Sequence, residues 1–361
     1  MMLGKIPEIK KIVLIGVFFT CISISVSSQI GGHYTYAFLN LTNSARVASL
    51  GGKSVSLYGD DLNMPFHNPS LLNSSMDQHF VLNYVGYFAG IKYGYASYAR
   101  DYGKKGTFAA GMHYSNYGSF TGADEFGVLT GEFRAAEYAL NLIYSRKIDS
   151  LFSIGVNLKP IYSNLETYNS FGLATDIGIN YHNPVSLFTA ALVVKNMGTQ
   201  IIKYYKAADR ESMPFEIQAG FSQKLVHAPF RFSFTLQQLQ KLDLTYESTI
   251  IKSQSIDPLT GERIEKNKIE VLGDKLLRHA IFGMEILPGE NFYVSLGYNY
   301  QRRQELKVPV STGMVGFSWG FGMKINKYRF SFGRATYHLI GASNHFSLIV
   351  NLSEFYTRRS L

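Results

Sequence analysis

The sequence predicts an all-β protein: a transmembrane antiparallel β-barrel of about 14 strands with an N-terminal hatch. Three observations carry that prediction. The composition is that of strands and turns, with 25 Tyr, 26 Phe, 33 Gly and only 17% charged residues. After Met76 the chain alternates large apolar and small or polar residues with a period of two. Ahead of that alternation lies a segment of some forty residues, rich in Gly, Asn and Asp, far longer than an ordinary connection.

The alternation is explicit in several stretches. Phe152, Ile154, Val156 and Leu158 alternate with Ser153, Gly155, Asn157 and Lys159. Phe230, Phe232, Phe234 and Leu236 alternate with Arg231, Ser233, Thr235 and Gln237. Phe292, Val294, Leu296, Tyr298 and Tyr300 do the same, as do Tyr328, Phe330 and Phe332. Successive strand side chains point to opposite faces, so each segment has one large apolar face and one polar or glycine face. A soluble β-protein would bury the apolar faces against each other; a membrane barrel turns them to lipid. Segment length, polar residues deep inside segments (Asn141, Asp176, Gln218, Glu285) and aromatic segment ends (Tyr144, Tyr162, Tyr181, Tyr298, Tyr300, Tyr328) favour the barrel. Mean hydropathy is near zero, which argues against a multi-span helical protein.

In chain order, residues 1–28 read as a signal peptide. Lys5, Lys10 and Lys11 precede an apolar run from Ile12 to Val26, and Val26-Ser27-Ser28 offers a cleavage site before Gln29. An uncleaved anchor is the alternative, although the run is short for a span. The single cysteine, Cys21, lies in that run. It is either discarded with the leader or a lipid acceptor, and the residues before it lack the small side chains the second role needs. Discarded, it leaves a mature chain without thiol chemistry.

Residues 29–76 form the hatch, and 77–361 the barrel. Strands are expected near 79–86, 88–99, 105–116, 132–146, 151–164, 168–182, 186–196, 214–225, 229–239, 277–287, 291–302, 312–323, 327–338 and 344–354. The first is the weakest assignment. Links at 147–150, 182–185, 226–228, 288–290 and 326–327 are short, as periplasmic turns should be. Outward links include the long ones near 117–131, 197–213, 240–276 and 303–311. Within the longest, 246–251 and 263–269 could pair as a hairpin around Asp257-Pro258; the whole link is either a solvated loop or a docking surface.

The net charge of +9 is scattered. In an exported chain it points to anionic lipid headgroups or a polar lumen rather than to nucleic acid. The nine His show no metal-ligand spacing, and no Gly-rich loop enters a helix. No catalytic residue, metal site or cofactor is therefore assigned, and an enzyme is not expected. The candidate functional residues are hatch–lumen contacts: Arg46, Asp60, Asp61 and Asn68 from the hatch, with Lys159, Arg231, Glu285 and Arg329 from the inward face. Unpaired buried charge is costly, so pairing is the default. The hatch charges are expected to pair with lumenal ones such as Lys159 and Arg231. Gly59-Asp60-Asp61 also has turn composition, and Asn68-Pro69 starts a turn.

The run from Ser44-Ala45-Arg46 to Asn68-Pro69-Ser70-Leu71-Leu72 resembles the pre-barrel segment of FadL-like fourteen-stranded outer-membrane proteins, with Ser70 where alanine is usual. Phe38 to Leu41, Gly297 to Leu306 and Phe332 to Leu348 resemble the PorV/PorQ family of the type IX secretion system. That resemblance implies a Bacteroidota outer membrane, a part in exporting cargo proteins and attaching them to the surface, and partners of the PorU, PorV and PorZ type. It transfers no catalytic motif. The FadL-like alternative is an outer-membrane channel for hydrophobic small molecules, separated from the first by whether the lumen is polar and plugged or apolar and open. A lipid hydrolase is a third possibility, requiring Ser and His side by side near the lipid boundary.

Overall fold

A computed structural model describes residues 34–207, 209–245, 267–306, 314–338 and 341–356. The expected leader lies outside them, as do 246–266 and with them most of the hairpin expected in the longest link.

Among the described residues fourteen strands close into one antiparallel barrel, each paired with its neighbours in sequence. They are β1 (His79–Gly86), β2 (Lys92–Asp101), β3 (Thr107–Ala123), β4 (Leu129–Lys147), β5 (Phe152–Leu165), β6 (Tyr168–Asn183) and β7 (Phe188–Ile202). Then follow β8 (Glu216–Lys224), β9 (Phe230–Leu236), β10 (Ala280–Ile286), β11 (Phe292–Asn299), β12 (Phe317–Ile325), β13 (Tyr328–His338) and β14 (Gly341–Asn351). β1 closes the barrel against β14, from His79 opposite Asn351 to Gly86 opposite Asn344. Closure leaves no open strand edge.

The faces decide between the two architectures that the alternation allowed. Phe152, Ile154, Val156 and Leu158 are exposed, whereas Asn157, Lys159, Asp176 and Glu285 are buried. Apolar outside and polar inside is the pattern of a barrel whose surroundings are lipid. The chain is an integral outer-membrane barrel.

Several boundaries differ from expectation for local reasons. Residues 88–91 are a tight turn, with Ala89 in the left-handed region, so β2 starts at Lys92. The expected link at 117–131 is mostly strand: β3 and β4 continue as a projecting hairpin past a bulge at Asn116–Gly118, and the turn is confined to about five residues at 124–128. Residues 300–302 are helical, because Asn299 caps Tyr300–Glu305 by accepting from the Arg302 amide. At the opposite end Asn326 takes φ 49° in the two-residue β12–β13 turn, a conformation Asn tolerates.

The hatch threads the lumen. Its backbone is pinned near the outward end by the Thr35 amide donating to the Ser212 carbonyl at 3.0 Å. It then forms helix α1 (Ala45–Ser49), capped by Ser44, and helix α2 (Met64–His67), and ends in short 3-10 turns at Pro69–Leu71 and Ser74–Met76 before β1. Val47, Leu50, Leu57, Met64 and Leu71 give it a small core of its own. Phe66, Leu72 and Met76 pack on Tyr95, Val81 and Ile143 of the wall.

Candidate functional site

The candidate site is the seam between hatch and wall. Three kinds of contact build it.

The first is ionic. Arg46, on α1, grips Glu285 of β10 with both ends of its guanidinium: Nε donates to Oε1 at 2.7 Å and Nη2 to Oε2 at 3.0 Å. Its Nη1 reaches Asp61 of the hatch at 3.4 Å. Glu285 also accepts from Arg231 at 3.0 Å, so one wall carboxylate serves two arginines. The Arg46 guanidinium lies 5.0 Å from the centre of the Tyr293 ring. Nearer the periplasmic mouth Asp60 accepts two bonds from Arg329 of β13, at 3.0 and 2.8 Å. Burial pushes the Asp60 carboxyl up, but the hydrogen bonds and charge of Arg329 outweigh it and hold the pKa at about 2. Lys53 meets Glu216 of β8 at 2.5 Å.

These pairs correct the expected partners. The hatch acids do not pair with Lys159 or Arg231. Lys159 is bound within the wall, to Asp176 at 2.6 Å and to Asn196 Oδ1 at 2.9 Å, and its ammonium lies 5.9 Å from the centre of the hatch's Phe66 ring. Arg231 is taken by Glu285 directly across the β9–β10 register. Parity gave the correct face for each of these residues but could not say which lumenal charge stands at which height.

The second kind of contact is made by wall serines, which bond the hatch backbone. The Ala45 amide donates to Ser347 Oγ at 3.0 Å, and the Gly51 amide to Ser318 Oγ at 2.9 Å. Ser318 in turn donates to the Ser49 carbonyl at 2.9 Å. Ser153 donates to the Ser70 carbonyl at 2.8 Å, and Ser222 to that of Ser56 at 2.7 Å. Ser49 and Ser295 share a hydroxyl bond of 2.6 Å. Asn68 braces its own turn, accepting from the Ser70 amide at 3.1 Å and donating to the Val55 carbonyl at 2.9 Å.

The third kind is close approach at inward glycines. A Cβ at Gly297 would overlap the Leu50–Gly51 backbone, one at Gly333 the Ala45 carbonyl, and one at Gly155 the backbone of Pro69 and Ser70. At Gly178 it would meet the Asn68 side chain. The glycine face of the alternation is thus a bed for the hatch. These serines and glycines were not among the sequence candidates. Their signal was present as small residues at inward positions, without the charge that draws attention.

No protein-family model and no curated protein sequence matches the chain at a significant level. Solved structures are similar in overall fold. The Ralstonia pickettii toluene transporter TbuX aligns with TM-score 0.49 and 10% identity, over 86% of this chain and 98% of that one. The Pseudomonas putida toluene transporter TodX aligns with TM-score 0.48 and 12% identity, over 86% and 96%. A Pseudomonas aeruginosa FadL homologue aligns with TM-score 0.46 and 9% identity, over 85% and 97%. These neighbours are FadL-type outer-membrane barrels.

What the arrangement can do follows from its contacts. A plug joined to the wall by ion pairs, serine bonds and interlocked backbone resists displacement, because each broken pair leaves a buried charge or polar group unsatisfied.

Proposed function

We propose that this barrel is a non-enzymatic scaffold in the outer membrane that serves the export and surface attachment of cargo proteins. The observation that supports it is the hatch seam: a polar plug bound to both sides of the wall leaves the rims, not the lumen, as the working surfaces. The resemblance of Gly297–Leu306 and Phe332–Leu348 to the PorV/PorQ family, with the PorQ type nearest, supplies the type IX secretion system as the setting. Its partners are then proteins of the PorU, PorV and PorZ type. The outward regions 117–131, 197–213 and 240–276 are the contact surfaces. Of these, the β3–β4 hairpin presents Phe126, Val128 and Leu129 exposed at its tip. Deleting the gene and following signal-bearing cargo tests the reading. Loss of surface attachment is expected; unchanged attachment would refute it.

A second reading is a channel for hydrophobic small molecules, the class to which the similar toluene transporters belong. An observation that favours it is an apolar hollow of about 570 Å³ open on the outer wall, lined by Phe232, Phe282, Leu296, Phe317 and Trp319. This reading requires the hatch to yield a path. Uptake of a labelled hydrocarbon by proteoliposomes tests it: uptake above empty vesicles supports the channel, and equal uptake removes it.

A further inference from the structure

The wall is uneven. β3 to β7 run 14 to 19 residues, while β8 to β12 run 7 to 9. A seven-residue strand such as β9 or β10, at about 3.3 Å per residue and a tilt near 40°, rises only about 18 Å, whereas the apolar band of such a barrel is about 25 Å tall. On this side the strands alone do not cover the hydrocarbon.

Helix α3 (Lys268–Arg278) sits at the outward end of that short wall and leads directly into β10. Asn267 caps it, accepting from the Ile269 amide at 3.1 Å. Its polar ridge faces the protein: Arg278 is buried and bonded to Asp274 at 2.8 Å, and Asp274 accepts from Tyr300 of the neighbouring helix α4 (Tyr300–Glu305) at 2.9 Å. The opposite face is apolar. Ile269, Leu272 and Leu276 follow helical spacing and are 78%, 59% and 62% exposed. Polar side inward and apolar side outward is the same inversion that the strands below it show. Below the helix, β10 presents Phe282 and Met284 to the lipid-facing hollow, and Met314 closes that hollow's lining beyond β12.

We propose that α3 lies in the outer leaflet of the membrane, with Ile269, Leu272 and Leu276 among lipid acyl chains, and completes in helical form the apolar band that the short strands leave unfinished. The direct run of α3 into β10, whose Phe282 and Met284 line the lipid-facing hollow, selects lipid as the occupant. Lys268, at the start of the helix, then carries its ammonium to the headgroups. The proposal does not rest on the export reading, and it narrows that reading's contact surface. It assigns this face of the 240–276 link to lipid rather than to a partner protein.

The test uses the mature chain, cysteine-free once the leader carrying Cys21 is removed. Leu272→Cys and, separately, Leu276→Cys are labelled with a polarity-sensitive fluorophore and reconstituted into phosphatidylcholine–phosphatidylglycerol vesicles. Phe282→Cys is the lipid-wall reference and Glu125→Cys, at the β3–β4 tip, the water reference; retained heat-modifiable migration shows that each variant has folded. Lipids carrying a nitroxide on the acyl chain should quench positions 272 and 276 several-fold more than 125, approaching 282. Quenching no stronger than at 125 overturns the proposal. So does a blue-shifted label at 272 that nitroxide lipids leave unquenched, because protein would then cover the face.

Discussion

The tall wall, β3 to β7, and the short wall, β8 to β12, solve the same problem with different means. The tall wall spans the membrane with strand alone and spends its excess length on a projecting hairpin. The short wall relies on additions from elsewhere in the chain: α1 of the hatch inside, α3 and α4 at the outward rim. The hatch holds both, but not equally. On the tall side it rests through the Asn68–Ser70 turn, by backbone overlap at Gly155, against Gly178, and by the Ser153 bond to the Ser70 carbonyl. On the short side it is fixed by the Arg46–Glu285 pair, by Ser295 and Ser318, and by backbone overlap at Gly297. The short wall adds the ion pairs Arg46–Glu285 and Lys53–Glu216, and is therefore the one whose integrity depends more on the plug.

The most severe break of that dependence is Gly297→Val. Its side chain would displace the Leu50–Gly51 backbone, for which no rotamer change compensates. A destabilisation of about 3 kcal/mol or more is expected in urea unfolding of the vesicle-reconstituted protein. With it should come ion conductance in planar bilayers that the parent lacks. Glu285→Gln should cost a similar amount, about 3–5 kcal/mol, because Arg46 and Arg231 both lose their carboxylate in a buried setting; the same unfolding assay reads it. On the tall side Gly178→Ala meets side chains alone, those of Asn68 and Ser70, and moving Asn68 costs its bonds to Val55 and Ser70. A loss of about 1–3 kcal/mol without new conductance would keep the two walls distinct. A Gly178 variant that opens the pore as Gly297→Val does would erase the distinction.

The mildest test is Asp60→Asn. Asp60 is partly open to solvent at the periplasmic mouth, so its pair with Arg329 should be worth no more than about 1 kcal/mol. Its carboxyl is held at about 2, below the ordinary value near 4. The stabilisation is therefore present in full above that ordinary value and fades as pH falls toward 2. The parent and Asp60→Asn should differ in stability at pH 7 and converge near pH 2. A difference that persists there would assign the effect to packing rather than charge.

Much of this architecture was legible in the residues. Period-two alternation located all fourteen strands and their inward faces, and β1, which looked weakest, is what closes the barrel. Strand ends were misread where a few residues change the local rule: the Asn299 cap turns 300–302 into helix, and the bulge after Asn116 lets β3 run on past the expected link. The site was legible by residue type but not by pairing. Arg46, Asp60 and Glu285 were recognisable as inward charges, yet which lumenal acid meets Arg46, and that Arg329 rather than Lys159 or Arg231 meets Asp60, depends on the height of each strand in the barrel, which shear sets and a single strand does not encode. The serine and glycine contacts were hidden for another reason. Their part is to let backbone come close, and small inward residues read equally well as filler.

The central claim is that the hatch is a fixed part of the wall, and Ser49 and Ser295 offer the most direct test. Their hydroxyl oxygens are 2.6 Å apart, close to what a disulfide joins. Ser49→Cys/Ser295→Cys in isolated outer membranes should oxidise to near completion and leave neither thiol open to an impermeant maleimide added from either face. Thiols that stay free and are labelled would show that α1 leaves the short wall, and would contradict the account.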